Sequence, residues 1–470
     1  MNARPSGSMR MRTRRQARSV MTPSLARFEV RGLFGKLDYD IRLINNEPNA
    51  KSHDLTLLYG RNGAGKSNLL RIAYHGLSAS PYRGHRSNLA QIPFELAKFT
   101  FSDGNELTYQ RLQTSGKPVG RKRITLKVSI TGPLGPLTES HNVNPDGTIN
   151  VEDVDLSDGS ITSQLPKLGL DPLILTDTRR IFSDAISRTR GREKEEYLLR
   201  LNTERGDQLD ELVRARRDDD LNDAIERLEQ FFRSIAIEGE RTGAVRADQA
   251  YASIVHAISS NAQGPGRPRK STLPELNRRL QELDSRVQVF KKYDLVTGVQ
   301  FTEMQEAISV APDRVGPLLQ NVLTPYLDGM QQRMESLQEA ADTIDSYVTL
   351  VNSFLDGKEV RYSALGRRLT VVDLESNDPI ALIDLSSGEK QLLLLFSYVM
   401  SMRSFTQLLL IDEPEISLNP DWQRRIIPAL LQLLKGTNTQ LMCASHSIEI
   451  LAPFDENVVD LAEATVGRAE

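Results

Sequence analysis

A chain of 470 residues with 39% apolar and 26% charged content has the composition of an ordinary folded protein and length for two or three domains. Its net charge of −3 gives no overall pull towards nucleic acid, and its single cysteine excludes a disulfide framework or a cysteine-based zinc site. No apolar run reaches the roughly eighteen residues of a membrane-spanning helix, so no membrane role is expected and a cytoplasmic location is.

Residues 1–27 read as a disordered basic N-terminus. The stretch Met1 to Val20 carries six arginines and no acid. A nucleic-acid arm, a transit-like segment and untranslated upstream sequence all fit it, because Met9, Met11 and Met21 are alternative starts. From Phe28 the chain alternates: Phe28–Gly35 and Tyr39–Leu43 predict a hairpin. Leu55–Tyr59 is then an apolar run with the character of a buried strand. It leads into Gly60-Arg61-Asn62-Gly63-Ala64-Gly65-Lys66-Ser67, and Asn68–Tyr74 continues with helical spacing.

Strand, glycine-rich loop and helix are the context of a phosphate-binding loop. The glycines let successive backbone N–H groups converge on phosphate oxygens at a helix N-terminus. Lys66 is placed to reach the β- and γ-phosphates, and the Ser67 hydroxyl to ligate Mg²⁺. A glycine-rich turn without a ligand is the plain alternative. Strands over Phe99–Phe101, Glu106–Arg111 and Ile124–Ile130 predict an antiparallel lobe beside the main sheet. Residues 132–169, rich in Gly, Pro, Asp, Asn and Ser, predict loops. Pro172–Asp177 reads as a core strand.

Residues 183–357 have helical periodicity. Leu221, Ile225, Leu228, Phe232 and Ile235 form one stripe, Leu273, Leu276, Leu280, Leu283, Val287 and Phe290 a second. A third runs from Leu323 through Tyr326, Met330, Met334, Leu337, Ala341 and Ile344 to Val348, predicting a long return helix. The stripes suit a short coiled-coil insertion with arms of ~30–45 Å, packed internally or offered as an assembly surface. Gly264–Lys270 breaks the pattern with glycine and proline, and Arg267, Arg269 and Lys270 there form a small basic group. The arginines between Arg188 and Arg217 are interleaved with acids, as on a solvated helix face.

Beyond the insertion, Phe354–Val360 and Leu369–Asp373 predict a hairpin leading to Leu385-Ser386-Ser387-Gly388-Glu389-Lys390-Gln391. Gln407–Glu415 is a buried strand ending in Asp412 and Glu413, where Asp412 could hold the water shell of Mg²⁺ and Glu413 polarise an attacking water. Both acids also suit a simple strand end, which Pro414 enforces. A second strand, Gln440–Ala444, ends at Ser445-His446-Ser447. Cys443 within it reads as a small buried hydrophobe.

This order of phosphate loop, LSSGE signature, Asp-Glu strand end, Ser417-Leu418-Asn419-Pro420-Asp421 and Ser-His resembles ABC-type ATPases of the SMC- and RecF-like branch. The resemblance implies an α/β fold: an ABC-type P-loop ATPase head, with a mixed sheet core and an antiparallel β lobe, split by a helical insertion. Residues 28–182 and 358–470 would be its two halves. It implies ATP and Mg²⁺ bound through Gly60 to Asn68, with Ser67 and Asp412 at the metal. Glu413 would be the base and His446 the γ-phosphate switch. Ser386, Ser387, Gly388 and Glu389 would close the site of a second copy, giving a homodimer through the ATP sites and a higher oligomer if the insertion assembles. Asn419 and Asp421 would cross that interface, although many members carry histidine where this chain has Asn419. In place of the usual nucleotide-sensing glutamine stand Asp177 and Arg179, and Arg31 or Phe34 is a candidate adenine contact.

The C-terminal motifs are similar to those of ATPases from prokaryotic antiphage systems, PARIS first, then Septu and the ATPase half of overcoming-lysogenization-defect nucleases. That similarity implies a sensor or scaffold governing a nuclease or toxin. The short stretch after His446 leads us to expect the effector on another chain. A RecF-like repair ATPase acting on DNA is the alternative, and nucleic-acid binding stays open.

Overall fold

The computed structural model describes residues 23–43, 55–80, 83–115, 122–145, 147–150, 157, 159–176, 181–183, 219–242, 273–296, 301–310, 312 and 315–463. The first half contributes β1 (Leu25–Leu33), β2 (Leu37–Arg42), β3 (Leu55–Tyr59), α1 (Lys66–Leu77), α2 (His85–Gln91), β4 (Leu96–Phe101), β5 (Glu106–Ser115), β6 (Lys122–Thr131), β7 (Leu137–Val143), β8 (Pro172–Leu175) and β9 (Ile181–Ser183). Helices follow: α3 (219–242), α4 (Leu273–Lys292), α5 (Phe301–Ser309) and α6 (Gly316–Asn352). The last part holds β10 (Lys358–Ser363), β11 (Arg368–Asp373), β12 (Pro379–Ile380), α7 (Ser387–Met402), β13 (Leu408–Asp412), α8 (Pro420–Leu434), β14 (Gln440–Ser445), α9 (Ile448–Leu451) and β15 (Val458–Asp460).

The fold is the expected α/β P-loop ATPase fold. Its central sheet has the order β15-β3-β14-β13-β8-β9, parallel except for β9. Strand β13 shows why it sits at the centre. Leu408 and Leu410 point into one core, while Leu409 and Ile411 point into the other, and all four are at most 2% exposed. A strand buried on both faces loses the apolar–polar alternation and becomes a continuous aliphatic run. Burying each such side chain is worth about 1.5–3 kcal/mol relative to leaving it in water.

One core lies between this sheet, α1 and a six-stranded antiparallel lobe of order β2-β1-β4-β5-β6-β7. The lobe is tied to the sheet at its first strand. Gln440, at the start of β14, accepts from the Leu25 N–H at 2.8 Å and donates to the Leu25 carbonyl at 2.9 Å. The other core joins the opposite sheet face to α3–α8 and the small β10-β11-β12 sheet. Phe232 of α3 packs edge-on against Tyr347 and Tyr362, and the Tyr347 hydroxyl meets the Ser397 hydroxyl at 2.7 Å. Among the described residues, the three helical stripes therefore pack within the protomer rather than along an open seam.

Several expectations need correction. The region 132–169 contains β7 and a helical turn, Ile161–Gln164. Its strand was hidden because two of its inward residues, Glu139 and His141, are polar, which blurs the alternation. Strand β1 begins at Leu25, three residues before the predicted hairpin, and the β10 strand begins at Lys358 because Phe354 still belongs to the turn after α6. Helix α6 has 37 residues, about 55 Å at the usual rise, and so exceeds the predicted arm. Asp177, Arg179, the basic group Arg267–Lys270 and the N-terminal arginines lie outside the described residues. No described helix is long and apolar enough to cross a membrane.

Candidate nucleotide-binding site

Parallel register brings the scattered motifs to one sheet edge. Asp412 pairs in register with Ala444, and Ser445 with Tyr59, so β3, β13 and β14 deliver the phosphate loop, the two acids and Ser445-His446 side by side. Ligands of open α/β sheets bind at this carboxyl edge. A cavity there is lined by Phe34, Asn62, Gly63, Gly65, Lys66, Ser67, Asn68, Glu413 and His446.

The loop has the form of an anion cradle. Gly63 and Gly65 have φ of 85° and 81°, and a Cβ on Gly65 would come within 2.7 Å of the Leu33 side chain. Among the described residues no side chain caps α1, whose N-cap is Gly65, and its first turn carries no acid. Its leading N–H groups, with the positive end of the helix dipole, are thus presented to the cavity. The loop is held from beneath by the Tyr39 hydroxyl, which donates to the Ala64 carbonyl at 2.7 Å. Burial raises the Tyr39 phenol above its ordinary value, which keeps it a donor.

Lys66 is 6% exposed and donates to the Gly60 carbonyl at 2.9 Å and to Nε2 of His446 at 2.5 Å. Desolvation lowers its pKa, opposed by the negative charges of Glu413, Asp412 and Glu415. Oε1 of Glu413 lies 4.0 Å from Nε2 of His446. Glu413 itself has φ of 49°, a left-handed conformation that costs a non-glycine residue about 1 kcal/mol or more. Its N–H donates to the Ala444 carbonyl at 2.8 Å, which holds the turn in place. Asp412 is 3% exposed at the strand end beside it. Helix N-terminus, lysine, serine and buried aspartate are together the donor set that a magnesium–triphosphate requires.

The signature segment is built differently. Ser386 caps α7, accepting from the Glu389 N–H at 3.3 Å, while the Glu389 carboxylate accepts from the Ser386 N–H at 2.7 Å. Lys358 donates to both Glu389 oxygens, at 2.9 and 3.0 Å. Glu389 is therefore turned inward within its own protomer, engaged by capping and by a lysine. Ser386, Ser387 and Gly388 do not line the cavity around Lys66. A Cβ on Gly388 would stand 3.0 Å from both the Ser417 carbonyl and the Trp422 ring, so the glycine is also needed for close packing within its own protomer.

Asn419 caps α8 by accepting from the Trp422 N–H at 2.8 Å. Asp421 pairs with Arg425 at 3.1 Å, and Arg425 in turn donates to the Ser353 carbonyl at 2.7 Å and lies over the Phe354 ring. Of the two adenine candidates, Phe34 lines the cavity, whereas Arg31 is drawn to Glu29 at 3.5 Å. Sequence reading missed Tyr39, Lys358 and Glu415. Only Glu415 left a signal, as a third acid beside the Asp-Glu pair.

Comparison with known proteins follows the same lines. A curated relative, the lipoprotein-releasing system ATP-binding protein LolD of Cereibacter sphaeroides, is 31% identical over 102 residues. That match covers 22% of this chain and 43% of LolD, less than half of the relative's own length. The chain is also similar to the Smc head domain of Pyrococcus furiosus bound to the C-terminal domain of ScpA, at 12% identity and a TM-score of 0.38 over 94% of this chain and 95% of that one. Against the Smc head with coiled coil and joint from Pyrococcus yayanosii the values are 15% and 0.34, over 92% and 93%. The family model described as "AAA domain, putative AbiEii toxin, Type IV TA system" matches residues 180–452, which span α3–α9 and both acid- and histidine-bearing strand ends. That match takes in more than half of the chain, and the chain belongs to this family of P-loop ATPases.

Proposed function

We propose that this chain is an ATP-binding and ATP-hydrolysing switch that dimerises around ATP and controls a separately encoded effector, a nuclease or toxin, in prokaryotic antiphage defence. The observation that carries the reading is the incomplete site. Lys66, Glu413 and His446 share one cavity while Ser386 and Gly388 do not line it, and in this reading a second copy supplies them. The family's description as a putative AbiEii toxin of a type IV toxin–antitoxin system, with the antiphage-like C-terminal motifs, supports the defence role. In this reading residues 28–182 and 358–470 make the head and 183–357 the insertion, and the protein works in the cytoplasm.

The residues present fit ATP with Mg²⁺. Backbone N–H groups from Gly60 to Asn68 bind phosphate oxygens, and Lys66 exchanges its His446 contact for the β- and γ-phosphates. Ser67 and Asp412 would hold Mg²⁺, which when bound would supply charge neutralisation on the phosphate oxygens. Glu413, facing the cavity from its strained turn, orients a water and accepts its proton. His446, released from Lys66, donates to the terminal phosphate and so reports its presence. Ser386 and Gly388 of the second copy then close over it, with Asn419 and Asp421 along the same seam.

The test pairs light scattering with turnover. With magnesium and ATP, Glu413→Gln should hold a stable dimer without hydrolysis, while wild type cycles back to monomer. Hydrolysis at the wild-type rate by Glu413→Gln would refute the assignment. Co-purification with the product of a neighbouring gene tests the effector. Tight, salt-resistant duplex binding with no such partner would instead favour a repair ATPase.

A further inference from the structure

The turn after β13 carries a third carboxylate whose contacts all lead to the histidine strand end. Oε1 of Glu415 accepts from the Ser445 hydroxyl at 2.8 Å, the His446 N–H at 2.8 Å and the Ser447 N–H at 3.2 Å. One oxygen thus collects three donors from three consecutive residues. The other, Oε2, is buried and has no hydrogen-bond partner among the described residues. A buried carboxylate oxygen without a partner is unfavourable, so the arrangement persists because the three donors over-determine it. Only an acceptor suits this position, since every group facing Oε1 donates.

We infer that Glu415 is a positioning residue for the reaction at the Lys66 cavity, acting through the main chain of His446. The inference rests on the role proposed above for His446. Pro414 separates Glu413 from Glu415, and the two carboxylates address His446 from different directions. Glu413 approaches the ring, with Oε1 4.0 Å from Nε2, while Glu415 binds the backbone. The strap joins the ends of β13 and β14, which backbone register alone aligns only as far as Asp412 and Ala444. Beyond that pair β14 continues one residue, with Ser445 against Tyr59, and Lys66 meets the histidine ring, while Glu415 ties the main chain of His446 and Ser447 past the last strand pairing. A lateral error of an ångström at a reacting centre lowers turnover by up to about a hundredfold. Glu415 also contributes to the negative field at Lys66, after Glu413 and Asp412.

Two substitutions separate these effects. Glu415→Gln removes the charge and keeps an acceptor oxygen, whereas Glu415→Ala removes both. Loss of charge alone should leave ATP affinity equal or tighter in both variants. Turnover should stay within about threefold of wild type in Glu415→Gln and fall by about tenfold to a hundredfold in Glu415→Ala. The chain has six histidines, so ¹⁵N-histidine spectra are sparse enough to find the His446 amide by its absence in His446→Gln. That amide should lie downfield in wild type, remain nearly so in Glu415→Gln, and move upfield in Glu415→Ala.

Wild-type turnover by Glu415→Ala together with an unmoved His446 amide would overturn the inference. If wild type itself hydrolyses no ATP, the functional reading falls separately, and the amide shift still decides whether Glu415 holds His446. Should Glu415→Ala not fold, an unmoved His446 amide in Glu415→Asp, whose shorter side chain cannot reach all three donors, would overturn it instead.

Discussion

The pair Lys358–Glu389 sets how the signature is presented, and its strength can be worked from the structure. The Glu389 side chain is 9% exposed and Lys358 25%, with both carboxylate oxygens at 2.9–3.0 Å from the ammonium. Unit charges about 3 Å apart attract by roughly 5 kcal/mol at an effective dielectric constant of ~20, and desolvation opposes most of that gain. Exposed pairs couple by about 0.2–1 kcal/mol, and breaking fully buried ones costs about 3–5 kcal/mol. The half-shielded geometry here places the coupling at about 1–2 kcal/mol. A double-mutant cycle of Lys358→Met and Glu389→Gln, read by urea unfolding at neutral pH, measures it.

The same cycle has a pH signature. Burial raises the Glu389 carboxyl, but Lys358 and the Ser386 N–H outweigh it, and the net effect holds it below its ordinary value of 4.5. The unfolded chain then binds the proton more readily than the folded one. The stabilisation is therefore complete above the ordinary glutamate range and is lost as pH falls through the lowered folded value. A coupling below about 0.3 kcal/mol, or one that does not shrink on acidification, would refute the reasoning.

Other outcomes follow from the cavity and the core. Lys66→Ala should abolish binding of a fluorescent ATP analogue without unfolding the chain, and retained affinity would remove Lys66 from the site. Tyr39→Phe deletes the hydroxyl that holds the Ala64 carbonyl, so stability should drop by about 1 kcal/mol and nucleotide affinity weaken several-fold in the same titration. Burial pushes the Cys443 thiol well above its ordinary value, and the residue is fully enclosed. Iodoacetamide at mildly alkaline pH should leave Cys443 unmodified until denaturant unfolds the sheet, with mass spectrometry as the readout.

Contiguous motifs were legible in the sequence because their chemistry is local. Gly60 to Ser67 must be consecutive for their N–H groups to converge, and Leu408–Ile411 must be uniformly aliphatic to lie between two cores. The supports around them were not legible. Tyr39 reaches a carbonyl 25 residues away, and Lys358 a carboxylate 31 residues away, at spacings no periodicity encodes. Strand β7 escaped for a related reason, since Glu139 and His141 occupy inward positions that pattern reading reserves for apolar side chains. Glu389 shows a support of another kind. Its place in the motif points to a ligand of a second copy, and its environment adds a helix cap and a lysine partner that the motif does not encode.

Among the described residues, the hydrogen bonds that tie α6 to α7 and to α8 lie at its C-terminal end. Tyr347 meets Ser397 of α7, and Arg425 of α8 grips Ser353 just past its last turn. Its far part carries α4 with it through Arg279 and Asp328. A continuous helix about 55 Å long converts rotation into displacement: a tilt of roughly 5° about its C-terminal end would sweep the other end by about 5 Å. That C-terminal end meets α7 and α8, the helices that begin at Ser387 and Pro420. A shift of α7 or α8 would therefore reach the far end of α6 through these contacts.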